Sequence, residues 1–304
     1  MRTGITYEEA LATILAAVRP LGPETLPIAE AAGRALAADL ATPSGVVAAG
    51  RQLRPGELAL LAAHGVSELR VVRRPRVAVV AAGDELLPPG APPTPGKIYD
   101  SDSAMLAALI RRDGGLPLPV GIAHDSVASL RIRLAAAIAG GAELILTTAG
   151  SHHGERDIVR GLLAGEGRLE FWGVAMEPDR PLLFGALAGV PVIGLPGEPA
   201  EALVCAELFA RPAILRLAGR ADVVRPTLRA ALATPAAQHA RRHYVRGTVR
   251  PSGAGYSVSL DEAGGLAAPA EANALVVIPP GQGELPAGSP VEVLLLEGAP
   301  AARG

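Results

Sequence analysis

Between residues 76 and 217 the sequence alternates strand and helix signals, and this alternation limits the fold more than any other feature. Arg76-Val77-Ala78-Val79-Val80-Ala81-Ala82 is a short apolar run, the pattern of a strand buried on both faces. A helix follows over 103–112, with Asp100 to Ser103 as its capping neighbourhood and Gly114-Gly115 as its stop. A strand over 116–122, a helix over 126–139 and a strand over 143–147 come next. A helix over 155–164, strands over 169–174, 182–186 and 190–194, and a long helix over 200–217 complete the series. Short links between alternating elements imply parallel pairing with right-handed crossovers. The expected class is therefore α/β, with a doubly wound, mostly parallel sheet.

The flanks read differently. Residues 1–73 carry helix signals over 6–18, 28–40 and 55–64 and a strand over 66–72, so a small helical domain is expected. Thr6 and Glu9 have capping-box spacing, and 41–50 is a breaker-rich joint. The α/β domain is expected over 74–220. From 221 to 304 the period changes, with strands over 244–249, 255–260, 274–278 and 291–296, as in a small all-β barrel or sandwich.

Composition narrows the function classes. Apolar residues make up 49%, which argues against disorder, and the 36 Gly and 28 Pro mark turns. A net charge of −2 gives no footprint for nucleic acid or a membrane surface. Cys205 is the only cysteine, so no internal disulfide framework exists and a reducing compartment fits. No leader pattern follows Met1, and no apolar run has the length of a membrane span. A cytoplasmic protein is expected. Lys97 is the only lysine among 28 cationic residues.

In an open parallel sheet, ligands bind beyond the carboxyl ends of the strands. After the first strand, Gly83-Asp84-Glu85 sets two carboxylates beside a glycine, a candidate hold for Mg²⁺ or a solvated turn. After the second, Asp125 or Ser126 is a candidate helix cap. After the third, Thr147-Thr148-Ala149-Gly150-Ser151-His152-His153-Gly154 runs into a helix and resembles a phosphate cradle, with Asp157 in the helix's first turn. His124, His152 and His153 fall on the same edge, where a zinc or iron site is the sharper reading and unligated histidines the plainer one. Pro196-Gly197-Glu198-Pro199 is a rigid strand-to-helix turn that either lines a ligand or is purely structural.

Taken in order and spacing, these pieces resemble one family. Val77 to Leu86, the run Ile98-Tyr99-Asp100-Ser101-Asp102-Ser103 through Leu106, Gly154 to Asp157, Phe171-Trp172, Pro181 to Gly185 and Leu195 to Pro199 resemble the molybdopterin molybdotransferases, which include the E domain of gephyrin. Ala270 to Asn273 before 274–278 is similar to the family's final β-domain, so the resemblance covers nearly the whole chain. It implies molybdenum cofactor biosynthesis: a transferase that binds adenylylated molybdopterin and inserts molybdate, with Mg²⁺-dependent AMP release. It also implies a homodimer and contact with other molybdenum-cofactor proteins. By resemblance, Glu85, Asp125 and Asp157 are the catalytic acids, with Glu85 and Asp157 on the metal. Gly83, Asp84, Ser101, Ser103, Thr148, Gly150, Ser151, Gly154, Arg180, Pro196, Gly197 and Pro199 are the expected substrate contacts.

The chain departs from the family pattern in several places. The family's second domain, expected as an insertion near 41–50, is reduced to a short joint. Gly173 and Glu177 stand where the family has lysines, and Arg180 alone keeps a cation. Glu198 replaces the asparagine of the family's proline turn. The alternative function is therefore a carrier or regulator that binds molybdopterin or finished cofactor without catalysis. An unrelated metal hydrolase on the same fold is the third class.

Overall fold

A computed structural model describes residues 2–148, 158–253, 255–261 and 272–296. Its centre is a seven-stranded sheet. In spatial order the strands are Arg2–Ile5, Arg168–Val174, Arg180–Leu187, Val190–Leu195, Leu144–Thr148, Arg76–Ala82 and Leu116–Ala123. The last four run parallel, as the alternating pattern requires. The sheet becomes antiparallel at Arg180–Leu187, which pairs with both neighbours in that sense. The hairpin between Arg180–Leu187 and Val190–Leu195 turns on Ala188 and Gly189, both at positive φ, the conformation that a tight two-residue hairpin needs.

Helices cover both faces. On one face Tyr7–Ala17, Ser101–Arg112 and the long C-terminal helix pack over Val77, Leu146, Phe171 and Ile193. On the other, Val127–Ala139 and Ile158–Glu166 pack over Ala78, Val80, Ile145 and Val192. The doubly wound expectation is met. The long helix is not uniform: Pro199–Cys205 passes through a π-helical turn, Ala206–Ala210, into Arg211–Leu217.

The first region differs from the expectation. Tyr7–Ala17 and Pro55–Ala63 are helices, the first with the Thr6/Glu9 capping box. The helix expected over 28–40 does not form, and only a 3-10 turn, Ile28–Glu30, is present. Gly33 sits at φ +78°, and Gly33 and Leu36 bond back to Leu53 and Arg51, so the alanine-rich stretch is pulled out as irregular chain. Two small antiparallel pairs, Pro23–Pro27 with Glu68–Val72 and Leu40–Thr42 with Gly45–Val47, make this region mixed rather than helical. The second pair is a tight hairpin at the joint where the resemblance places an inserted domain. Arg2–Ile5, which had no strand signal, adds an edge to the large sheet beside Phe171 and Trp172.

The C-terminal strands close a five-stranded barrel: Thr227–Leu232, Gly255–Leu260, His243–Ser252, Ala274–Ile278 and Pro290–Leu295. Val249, Val258, Val276 and Val293 fill its interior. Among the described residues no helix is long and apolar enough to cross a membrane.

Candidate functional site

Parallel strands deliver their carboxyl ends to one edge. Ala82, Ala123, Thr148 and Leu195 end there, and the register aligns Thr148 with both Ala81 and Leu195. Gly83-Asp84-Glu85, His124-Asp125 and Pro196-Gly197-Glu198 therefore meet on this edge, as the strand–helix order predicts.

Asp84 and Asp125 hold each other. Asp84 N–H donates to Asp125 Oδ2 at 3.3 Å, and Asp125 N–H donates to Asp84 Oδ1 at 3.4 Å. His124 Nδ1 lies 2.9 Å from the same Asp84 oxygen. The His124 hydrogen bond, then that from the Asp125 amide, holds the Asp84 carboxyl below the usual carboxylate range. Ser126, not Asp125, caps the next helix, accepting from Ser129 N–H at 3.2 Å, which leaves Asp125 free for Asp84. Lys97 Nζ donates to the Asp84 carbonyl. The carboxylate of Glu85 folds back over Gly83, filling the place where a Cβ would stand.

The run Ile98 to Ser103 is tied to this loop by backbone bonds. Ile98 N–H donates to Glu85 O and Asp100 N–H to Leu87 O, both at 2.8 Å. Asp100 then caps the helix Ser101–Arg112 through Ser103 N–H at 3.0 Å, which puts Ser101 and Ser103 in its first turn. Asp102 is 6% exposed and its Oδ1 has no hydrogen-bond partner. Burial, and then the charges of Asp100 and Glu198, push its carboxyl up to about 7. A groove of about 500 Å³, lined by Gly83, Asp84, Asp100, Ser103 and His124 among others, opens beside these residues.

Other expected contacts fall less directly. Thr148 is buried at the end of its strand. Pro196 is buried and Gly197 exposed. Glu198 is the N-cap of the following helix, accepting from Glu201 N–H at 2.9 Å, with Pro199 at its first position. Glu198 therefore serves the capping role that suits an asparagine. Arg180, the cation kept from the family pattern, is 2% exposed and faces the Glu201 carboxylate. Burial lowers its pKa. Gly173 sits at φ +79° in a register shift of Arg168–Val174, and Glu177 bonds through its backbone to Arg242 of the barrel segment.

Asp157, Gly150, Ser151, Gly154, His152 and His153 lie outside the described residues. Among the described residues no three His, Cys, Asp or Glu side chains form a metal-binding group. The oxygen donors on the edge, Asp84, Glu85 and Asp125, match the preference of a hard cation such as Mg²⁺ in kind. The sequence missed Asp102, Lys97 and Glu201. Asp102 read only as part of the capping neighbourhood of the helix, because one of the charges that act on it, Glu198, stands nearly a hundred residues away in the chain.

Comparison with known proteins agrees with this geometry. Residues 78–216 match a family described as a probable molybdopterin binding domain, and residues 229–296 match the MoeA C-terminal region, domain IV. Molybdopterin molybdenumtransferase 2 of Mycobacterium tuberculosis is 35% identical over 263 residues, covering 84% of this chain and 65% of that protein. A molybdopterin molybdenumtransferase of Nostoc is 33% identical, covering 82% and 59%. The chain thus spans about two thirds or less of the length of these relatives. The crystal structure of a molybdopterin biosynthesis MoeA protein from Pyrococcus horikoshii superposes with a TM-score of 0.83 at 22% identity, covering 97% of this chain and 100% of that one. A molybdenum cofactor biosynthesis protein from Pyrococcus furiosus superposes with a TM-score of 0.75 at 26% identity, covering 96% and 99%. The chain thus carries a probable molybdopterin binding domain over the strand-end edge and a MoeA C-terminal region over the barrel, and its curated homologues are molybdopterin molybdenumtransferases.

Proposed function

We propose that this chain works in molybdenum cofactor biosynthesis, binding adenylylated molybdopterin along the sheet's carboxyl edge and inserting molybdate with release of AMP. The observation that supports it is the coincidence of the 78–216 match with the edge that gathers Gly83, Asp84, Glu85, Asp125 and Pro196. In this reading Ser101, Ser103, Thr148, Gly150, Ser151 and Gly154 cradle the phosphate and pterin groups, and Pro196, Gly197 and Pro199 wall the pocket. Asp84, locked to His124 and Asp125, fixes the loop that carries Glu85. Glu85 and Asp157 would hold Mg²⁺, which would supply positive charge against the substrate phosphates. Glu85, Asp125 and Asp157 then position the attacking oxygens and accept protons at their carboxylates.

A second reading rests on Arg180. Its guanidinium is already faced by Glu201, and Gly173 and Glu177 bring no cation for an incoming oxyanion. That favours a chain that binds molybdopterin as carrier or regulator. Homodimerisation and docking to other molybdenum-cofactor proteins in the cytoplasm belong to either reading.

The test is AMP release from adenylylated molybdopterin with Mg²⁺ and molybdate. Molybdate-dependent release above background is expected. Tight pterin binding without release would leave the carrier reading standing, and absence of pterin binding would remove both.

A further inference from the structure

At the opposite end of the sheet lies a second cavity of about 520 Å³. Its walls come from the segments just before strands Arg76–Ala82 and Leu116–Ala123, from the end of the long helix, and from the start of the barrel. It lies toward the other end of the sheet from the edge described above, and Arg111 lines both this cavity and the groove beside that edge.

Its lining is strongly cationic. Arg34 enters from the first region, Arg74 from the link before strand Arg76–Ala82, Arg111 and Arg112 from the end of helix Ser101–Arg112, and Arg211, Arg220 and Arg225 from the C-terminal side. Asp113 is the one carboxylate among the lining residues. Glu207 lies beneath, 2.9 Å from Arg112 and 2.8 Å from Arg225, and Glu24 pairs with Arg34. Even with these and Asp222, whose charge acts on Arg220, counted, cations outnumber carboxylates seven to four, in a chain whose net charge is −2.

Helix dipoles account for part of this. Arg111 and Arg112 stand in the last turn of their helix, where cations are favoured. The other five come from segments with no such reason to converge. Two of them are deeply placed, with side chains 13% exposed at Arg211 and 11% at Arg225. Arg211 reaches Asp113 only at 3.5 Å, and its Nε has no hydrogen-bond partner. Among the described residues no ion pair within 4 Å involves Arg74, Arg111 or Arg220, and Asp222 and Asp113 act on Arg220 only from farther off. Removing guanidinium groups from water is costly unless an anion compensates.

We infer that this cavity binds a compact, multiply charged oxyanion of the phosphate class. Guanidinium forks match the geometry of phosphate oxygens. No aromatic side chain lines the cavity, so nothing is present to stack a nucleobase, and an inorganic phosphate or a small phosphate ester fits better than a nucleotide. Burial lowers Arg211 to about 10, with the charge of Arg225 adding to it, and burial lowers Arg220 as well. A bound anion would relieve both.

The probe is inorganic pyrophosphate, titrated calorimetrically into the full chain at constant ionic strength with EDTA present, so that no metal assists binding at the other edge. The variant Arg74→Gln/Arg220→Gln removes two cations without touching the Glu207 or Asp113 pairs. We expect it to keep its thermal midpoint without ligand and to lose at least tenfold in pyrophosphate affinity, while Arg131→Gln, which removes an exposed cation away from both cavities, leaves the affinity unchanged. Glycerol 3-phosphate in the same assay separates ester from inorganic ligand, and either one, weakened by the double variant, supports the site. No binding of either anion would overturn the inference. So would an equal loss in Arg131→Gln, or no loss in the double variant. Concentration-dependent dimerisation that the double variant abolishes, with no anion binding, would assign the cavity to a second copy of the chain.

Discussion

Asp102 is held where an ionised carboxylate is expensive. Its carboxyl titrates near 7 in the folded chain and near 3.8 when exposed. Below the lower value both states are protonated and folding loses nothing. As pH rises between the two, the unfolded chain sheds its proton first, so stability falls, and the full penalty is reached above 7. A shift of that size corresponds to at most about 4 kcal/mol. Asp102→Asn removes the titration. Urea unfolding at pH 4 and pH 8 is expected to show the wild-type chain losing more stability over that interval than the variant. Parallel losses would acquit Asp102. His124 makes a second prediction at this scale. It holds Asp84 below the usual range, so His124→Ala is expected to raise the Asp84 titration toward its ordinary value, read by carbon NMR of the side-chain carboxyl. The members of this cluster were legible in the sequence because each follows a strand, and strand ends converge by topology. Their pairing was not, since it depends on loop paths that bring Asp84 and Asp125 within hydrogen-bond reach across 41 positions.

Single elements show where the pattern yields to context. Gly173 falls in a bulge at φ +79°, with nothing nearer than 3.8 Å to block a side chain. The family's lysine is therefore excluded here by backbone conformation and not by space. Gly173→Lys is expected to cost about 1–2 kcal/mol, and Gly173→Asn less, because asparagine tolerates the left-handed region. Equal midpoints in guanidinium unfolding would show that the bulge rearranges freely. The π-helical turn Ala206–Ala210 makes a related point. It presents Glu207, which is 3% exposed, to Arg112 and Arg225. Glu207→Gln leaves two guanidinium groups short of their shared anion, and a loss of about 3 kcal/mol is expected from thermal unfolding. The 3.6-residue period announced one long helix over 200–217 but carried no sign of the wider turn. The same period misled over 28–40, where alanine content suggested a helix and Gly33 with the bonds to Leu53 imposed another path. The strand Arg2–Ile5 was invisible because four residues containing a glycine have no strand signal until Phe171 and Trp172 stand beside them.

At the scale of the molecule, the α/β sheet was readable because alternation, glycine stops and crossover handedness all point to one topology. How the barrel meets it was not, because the contact is made by side chains from three distant segments. Tyr7 on the first helix lies 5.5 Å from Phe209 on the long helix and 5.4 Å from Tyr244 on the barrel, ring centre to ring centre. Arg242 pairs with Glu8 and donates to the Tyr244 hydroxyl at 3.3 Å. Tyr244, Leu275 and Leu296 thus share the core of the sheet's front face rather than that of their own barrel. The covalent path between the two units is held more loosely, with Val224 58% exposed, a backbone bond from Ala221 N–H to Gly50 O, and the Arg211 guanidinium donating to Val223 O at 2.9 Å. Removing the Tyr244 ring deletes the aromatic bridge while leaving those bonds in place. Tyr244→Ala is expected to cost about 3 kcal/mol, in the range for losing a large buried ring. The cost should fall on docking, since Val249, Val258 and Val276 keep the barrel filled. Limited proteolysis should then cut the variant faster between residues 218 and 226, with the barrel strands still protected from hydrogen exchange. Uniform loss of protection through the barrel would instead mean that Tyr244 supports the barrel fold, and that the two units do not come apart before they unfold.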